Sequence, residues 1–100
     1  MSSYPLKILT PEESVYENPV TSITLEGAKG RLTVLGGHAP MIAAVVEGRI
    51  LIKTGEGELA GHSLHGLLHV KRDEVVVLVR DFHWANETPE PLLPPDSKSP

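Results

Sequence analysis

Along residues 20–26, Val-Thr-Ser-Ile-Thr-Leu-Glu, the side chains alternate, with Thr21, Ile23 and Leu25 on one face and Ser22, Thr24 and Glu26 on the other. A period of two sends successive side chains to opposite sides of the backbone, the pattern of a half-buried strand. Leu6 and Ile8 begin a similar strand before Thr10-Pro11, and Leu32 and Val34 share a face after Gly30. Ile50 and Ile52 lie opposite Arg49, Leu51 and Lys53. The run Val75-Val76-Val77-Leu78-Val79 is apolar throughout, which predicts a strand covered on both sides. Turn signals separate these segments at Glu26-Gly27, Ala28-Lys29-Gly30, Glu47-Gly48, Thr54-Gly55-Glu56-Gly57 and Arg72-Asp73-Glu74. Short strands joined by close turns predict an all-β fold, a sandwich or barrel.

Two segments resist a simple strand reading. Thr10-Pro11-Glu12-Glu13 spells a capping box with proline at the first helical position, but Asn18-Pro19 follows too soon. One helical turn is the most it supports. Met41–Val46 is an apolar run too short to separate strand from helix; its terminal valines favour strand. From Ala85 the pattern dissolves: Pro89, Pro91, Pro94, Pro95 and Pro100 interrupt a stretch whose main apolar pair is Leu92-Leu93. Proline lacks the amide donor that a ladder or helix needs. The chain therefore divides into a β-domain over 1–84 and an extended or disordered tail over 85–100.

Composition narrows the chemistry. There is no cysteine, so thiolate metal sites and disulfides are excluded. A net charge of −4 and no basic cluster beyond Lys71-Arg72 argue against nucleic-acid binding. No apolar run approaches the ~20 residues of a membrane helix. The start, "MSSYPLKI", has neither a signal core nor a transit pattern, so a soluble, non-secreted protein is expected.

Catalytic signals are weak. His62, His65 and His69 would share a face on a helix, but on a strand His65 and His69 point one way and His62 the other. "GAKGRLTVLGGH" contains no Walker lysine followed by serine or threonine, and no dinucleotide fingerprint. Ser63 lacks a nucleophile elbow. Glu12-Glu13 and Glu56/Glu58 read as solvated charges on turns. No cofactor is expected. The stretch "VLGGHAPM" is the most distinctive: Gly36-Gly37 open backbone angles closed to other residues, and Pro40 fixes φ. His38 has no acid, base or metal partner in the local sequence. A rigid corner feeding an apolar segment, Met41–Ala44, is the physical reading; that segment is either core or displayed to a partner.

These residues carry a resemblance. "GAKGRLTVLGGHAPMIAAVVEGRILIK" resembles the signature of the ATP synthase epsilon chain family, in which a glycine-bounded strand leads into Gly-His-Ala-Pro and a hydrophobic residue. "LKILTPEESVYE" is similar to that family's opening strand and turn, and "GLLHVKRDEVVVLV" to its closing strands, so the likeness spans residues 4–82. The resemblance implies a flattened β-sandwich of about ten short strands. It also implies a non-catalytic central-stalk (rotor) subunit that packs on the gamma subunit and the c-ring and couples ion-driven rotation to ATP synthesis. On that analogy Gly37, His38, Ala39, Pro40, Met41, Ile42 and Ala43 would meet gamma, and Arg31 would meet the c-ring. The location implied is the cytoplasmic face of the bacterial inner membrane, reached only through the complex. The isolated chain would be a monomer or a weak self-associate.

Departures temper the analogy. Gly36 stands where the family often has proline, Thr33 where it often has glycine, and Arg31 where an acidic residue is frequent. The family's second domain, an α-helical hairpin, has no counterpart in residues 85–100, so the brake it provides is expected to be missing. Two rival readings stay open at this point: a small metal-dependent β-barrel enzyme using His38 with His65 or His69, and a stand-alone β-sandwich adaptor.

Overall fold

A computed structural model describes residues 3–85, and every regular element in it is a strand. Ten follow one another: β1 (Tyr4–Leu9), β2 (Ser14–Val20), β3 (Ser22–Gly27), β4 (Gly30–Leu35), β5 (Met41–Val45), β6 (Gly48–Thr54), β7 (Gly57–Ser63), β8 (Gly66–Val70), β9 (Val75–Val79) and β10 (Phe82–Trp84). Hydrogen bonding runs in the order β10-β7-β6-β3-β5-β8-β9-β1-β2, with β4 on the other edge of β3. The path folds over between β3 and β5, which share the single register pair Gly27↔Val45. One layer is therefore β10-β7-β6-β3-β4, and the other is β5-β8-β9-β1-β2. All neighbours are antiparallel except β1 and β9, which run parallel with Ile8 opposite Val77.

Alternation explains how the layers close. Ile23, Leu25, Ile50, Ile52 and Val34 point inward from the first layer, and Leu6, Ile8, Leu68, Val70, Val75 and Val77 from the second; all are buried. The two ends of the path, β10 and β2, meet through Trp84 and Tyr16, whose ring centroids lie 5.9 Å apart. At the other end of β2 the Thr21 amide donates to the Lys53 carbonyl at 2.7 Å. Side chains and one backbone bond thus close what the ladder leaves open.

Several expectations hold in the structure, namely the strands around Ile23, Ile8, Val34 and Ile52. Met41–Val45 is a strand, as its valines suggested. The possible helical turn at Thr10–Glu13 is not formed. There the Thr10 amide donates to the Glu13 carbonyl at 2.9 Å, and the Thr10 hydroxyl and Glu13 amide lie 3.3 Å apart. The capping letters serve a hairpin turn because the incoming strand already runs antiparallel to the outgoing one. Glu26-Gly27 is still strand, with the turn at Ala28-Lys29. Coverage of β9 is incomplete: Val75, Val76, Val77 and Val79 are buried, but Leu78 is 42% exposed. Of the tail over 85–100, only Ala85 belongs to the described residues, where its amide donates to the Ala60 carbonyl at 2.8 Å.

Gly66 is required by the packing. A Cβ there would run into the Leu78 carbonyl oxygen of the neighbouring strand. Ser63 is the converse case, a buried hydroxyl whose Oγ has no hydrogen-bond partner among the described residues. Leaving such a group unmatched costs about 1–3 kcal/mol. Replacing it (Ser63→Ala) should raise the unfolding free energy by about 1 kcal/mol in a denaturant titration; a less stable variant would show that the hydroxyl is satisfied.

Candidate docking surface

The corner between β4 and β5 is built around two rings. Gly37 has φ +80°, the left-handed region that favours glycine, so the second glycine of the pair turns the chain. The turn delivers His38 back under the strand end, with Nδ1 2.6 Å from the Leu35 carbonyl oxygen and Nε2 3.2 Å from that of Lys71. A neutral imidazole donates to one of these carbonyls, and a protonated ring to both. The ring stands edge-on to Tyr4 at 5.1 Å, and the Tyr4 hydroxyl donates to the Val34 carbonyl at 2.6 Å. The start of β1, the end of β4 and the β8–β9 turn are thereby tied at one point. His38 is half-buried and turned towards backbone oxygens, the position of a brace.

Beyond the corner the site residues part company. Ala39, Pro40, Met41 and Ile42 are exposed, Ile42 by 63%. Ala43 points inward and packs on the core. The outward members of β5 are therefore Ile42 and Ala44. Cross-strand register continues them into two rows. Ala44 lies opposite Leu67, Leu67 opposite Leu78, and Leu78 opposite Leu9. Ile42 lies opposite His69, His69 opposite Val76, and Val76 opposite Lys7. The outer face of β5-β8-β9-β1 thus carries a continuous apolar strip in which Leu67 and Leu78 remain 38% and 42% exposed. A groove of about 380 Å³ extends it past Leu9 and Pro11.

The opposite outer face is largely polar and partly paired, with Leu35 and Leu51 as its apolar members. Arg31 at the β3–β4 tip donates through Nε to Glu26 at 3.1 Å. The hydroxyls of Thr24 and Thr33 meet at 2.9 Å, and Lys53 Nζ lies 3.9 Å from Glu58. The guanidinium of Arg31 stays largely in solvent, so it remains free to contact a second surface. Leu9, Leu67 and Leu78 were missed in the sequence because each sits on a different strand. The one available signal was Leu78, a leucine inside a run of valines.

The histidines do not assemble. His38 is held by carbonyls, His62 lies 3.8 Å from Glu47, and His83 lies 3.0 Å from Asp81. His65 and His69 lie on the apolar side, near Arg80 and Val76. Among the described residues no three His, Asp or Glu side chains converge as metal ligands. Ser63 is buried and carries no nucleophile geometry.

The family model of the ATP synthase Delta/Epsilon chain β-sandwich domain matches residues 3–85. The chain belongs to this family. It is 33% identical over 85 residues to the ATP synthase epsilon chain of Persephonella marina, a match covering 84% of this chain and 62% of that one. The epsilon chain of Clostridium kluyveri is 32% identical over 84 residues, covering 82% and 63%. The chain thus spans a little under two thirds of these relatives' length. Among solved structures, the fold is shared with a chain of the Euglena gracilis mitochondrial ATP synthase OSCP/F1/c-ring assembly. That match has a TM-score of 0.80 at 20% identity and covers 89% of this chain and 57% of that one. A chain of the Tetrahymena thermophila ATP synthase central stalk/c-ring structure matches with a TM-score of 0.68 at 15% identity, covering 82% and 66%. For this Delta/Epsilon domain, the ten-stranded β-sandwich implied by the resemblance is the observed fold.

Burial sets a pH limit on the corner. It pushes the Tyr4 phenol up from 10.0 to about 12, against a smaller opposing effect of a backbone hydrogen bond at Ile23. Burial also raises Tyr16, in a less enclosed position. A raised pKa means that the folded state favours the neutral phenol, so its stabilisation is complete below pH 10 and lost as pH rises towards 12. Unfolding free energy should therefore fall across that window. The fall should be shallower for Tyr4→Phe; equal slopes in the two proteins would show that Tyr4 is not the titrating group.

Proposed function

We propose that this chain is a non-catalytic subunit of the central stalk of a rotary F-type ATP synthase. In this reading it docks on the gamma subunit through the outer face of β5-β8-β9-β1. The tip of the β3–β4 hairpin, with Arg31, reaches the c-ring. The carrying observation is the asymmetry of the sandwich: in a Delta/Epsilon family member, one outer face carries a continuous apolar strip across four strands and the other is largely polar. Exposed apolar strips of this kind mark protein contacts.

A part that transmits torque needs an interface that does not slip. Paired strands suit that task, and Ala44, Leu67 and Leu78 offer small and branched side chains in one cross-strand row, with Ile42 beside Ala44. A permanent interface above about 1,000 Å² is expected. Of the residues proposed from the family analogy, Ile42 forms the near end of the strip, while Met41 lies on the other face of β5 with Ala43 and Val45. Gly37, His38, Ala39 and Pro40 shape and border it, and Ala43 supports it from within. Arg31 faces the c-ring as a solvated charge still shared with Glu26. In a bacterial cell this places the chain at the cytoplasmic face of the inner membrane, attached through the complex alone. No catalytic role is assigned to any side chain.

The test is association with the gamma subunit. Ile42→Asp and Leu67→Asp put a charge into the strip but leave the core untouched. Each should weaken gamma binding by about 100-fold, the scale expected of central contacts, with the thermal midpoint of the isolated domain unchanged. Wild-type co-purification of either variant would remove this face from the interface.

A further inference from the structure

Nitrogen-bearing side chains lie on either side of the Ala44–Leu67–Leu78–Leu9 row of the strip. Lys7 ends the row that begins at Ile42, and His69 lies within that row between Ile42 and Val76. On the far side His65 and Arg80 line the groove that also touches Leu67 and Leu78. Arg80 is anchored there by its amide, which donates to the His65 carbonyl at 3.1 Å. Lys7 and Arg80 bring positive charge to this face beside the Lys71–Glu74 pair, and the imidazoles add donors.

Among the described residues none of the four side chains has an ion-pair or hydrogen-bond partner. The ion pairs among the described residues are Arg31–Glu26, Lys53–Glu58, His62–Glu47, Lys71–Glu74 and His83–Asp81. All of them fall on other residues. Glu17, opposite Lys7 on β2, instead accepts a hydrogen bond from the Ser14 hydroxyl at 2.9 Å. Lys7 and Arg80 are therefore outside every ion pair among the described residues, one on either side of the apolar strip. Covering such a face with a neutral or basic surface would strip water from these groups and offer nothing in return.

From this pattern we infer the chemistry of the partner: an apolar ridge that fills the Ile42–Leu67–Leu78 strip, flanked on both sides by carboxylates. One acidic group meets Lys7 and His69, and the other meets Arg80 and His65. The inference rests on the docking reading above and adds what that reading left open, the charge of the opposing surface. It also makes His69 a specificity determinant, since a nitrogen in the middle of an apolar row must be met by an acceptor when it is covered. Opposed charges outside a dry centre act mainly on the rate of encounter, and that effect is screened by salt.

The experiment follows association of the full chain with the gamma subunit by surface plasmon resonance across a series of ionic strengths. The double variant Lys7→Glu/Arg80→Glu and the variant Leu67→Asp are run beside the wild type, with thermal midpoints confirming that each is folded. Wild-type association should slow as salt rises. The charge-reversed protein should associate at least tenfold more slowly at low salt, with its salt dependence flattened or inverted. If the reversed protein matches the wild type in rate and salt dependence, or binds faster, the acidic partner surface is overturned. The docking reading then stands if Leu67→Asp still weakens binding. If the wild type itself fails to bind gamma, both fall together.

Discussion

The position at which β5 begins decides what this molecule can present, and that position is held by His38. Its ring spans the Leu35 and Lys71 carbonyls, which belong to the strand before the corner and to the turn on the far side of β8. Side chains of a strand alternate strictly, so a slip of one residue in β5 against β8 would exchange its two faces. Ile42 and Ala44 would turn inward, and Met41 and Ala43 outward. The apolar strip across β5-β8-β9-β1 exists because that slip is prevented. The left-handed Gly37, the edge-on Tyr4 ring and the Tyr4–Val34 hydrogen bond all serve the same fixed point.

The consequence is a two-sided sandwich with one shared core. Inward residues of both layers are consumed in holding the layers together, which is why the core is made of Ile, Leu and Val from nearly every strand. What differs is the outside. On the β4-β3-β6-β7 face, Thr24 with Thr33, Arg31 with Glu26 and Lys53 with Glu58 satisfy one another and leave a hydrated surface. On the opposite face, leucines meet leucines across the strands. For the docking proposed above such a difference matters, because orientation in a complex depends on having one face that binds and another that stays in water.

The strands were readable because their alternation is local: Ile23, Leu25, Ile50 and Ile52 announce an inner face within a few residues. The role of "GHAP" as a corner was also visible, carried by the glycines and proline. What could not be read was anything set by register. The inward turn of Ala43 depends on where β5 meets β8. The alignment of Leu67 with Leu78 joins residues that are local to different strands. The capping letters at Thr10–Glu13 misled because the same hydroxyl-to-amide contact serves a helix start and a hairpin turn, and only the neighbouring strand decides between them. The histidines invited a metal until their strands were placed, after which each pointed to a carbonyl, a carboxylate or the apolar face.

The dependence of the docking face on the corner can be measured directly by amide hydrogen exchange in β5 and β8 of the His38→Ala protein, alongside gamma binding. Loss of the ring removes at least one hydrogen bond to a backbone carbonyl, worth about 1 kcal/mol, and the core remains intact. The account predicts a folded protein in which exchange at Met41–Val45 rises at least tenfold, exchange at Ile23 and Leu25 is unchanged, and affinity for gamma falls with the loss of β5 order. Wild-type exchange in β5 together with wild-type affinity would contradict it, because the face would then be set without the brace.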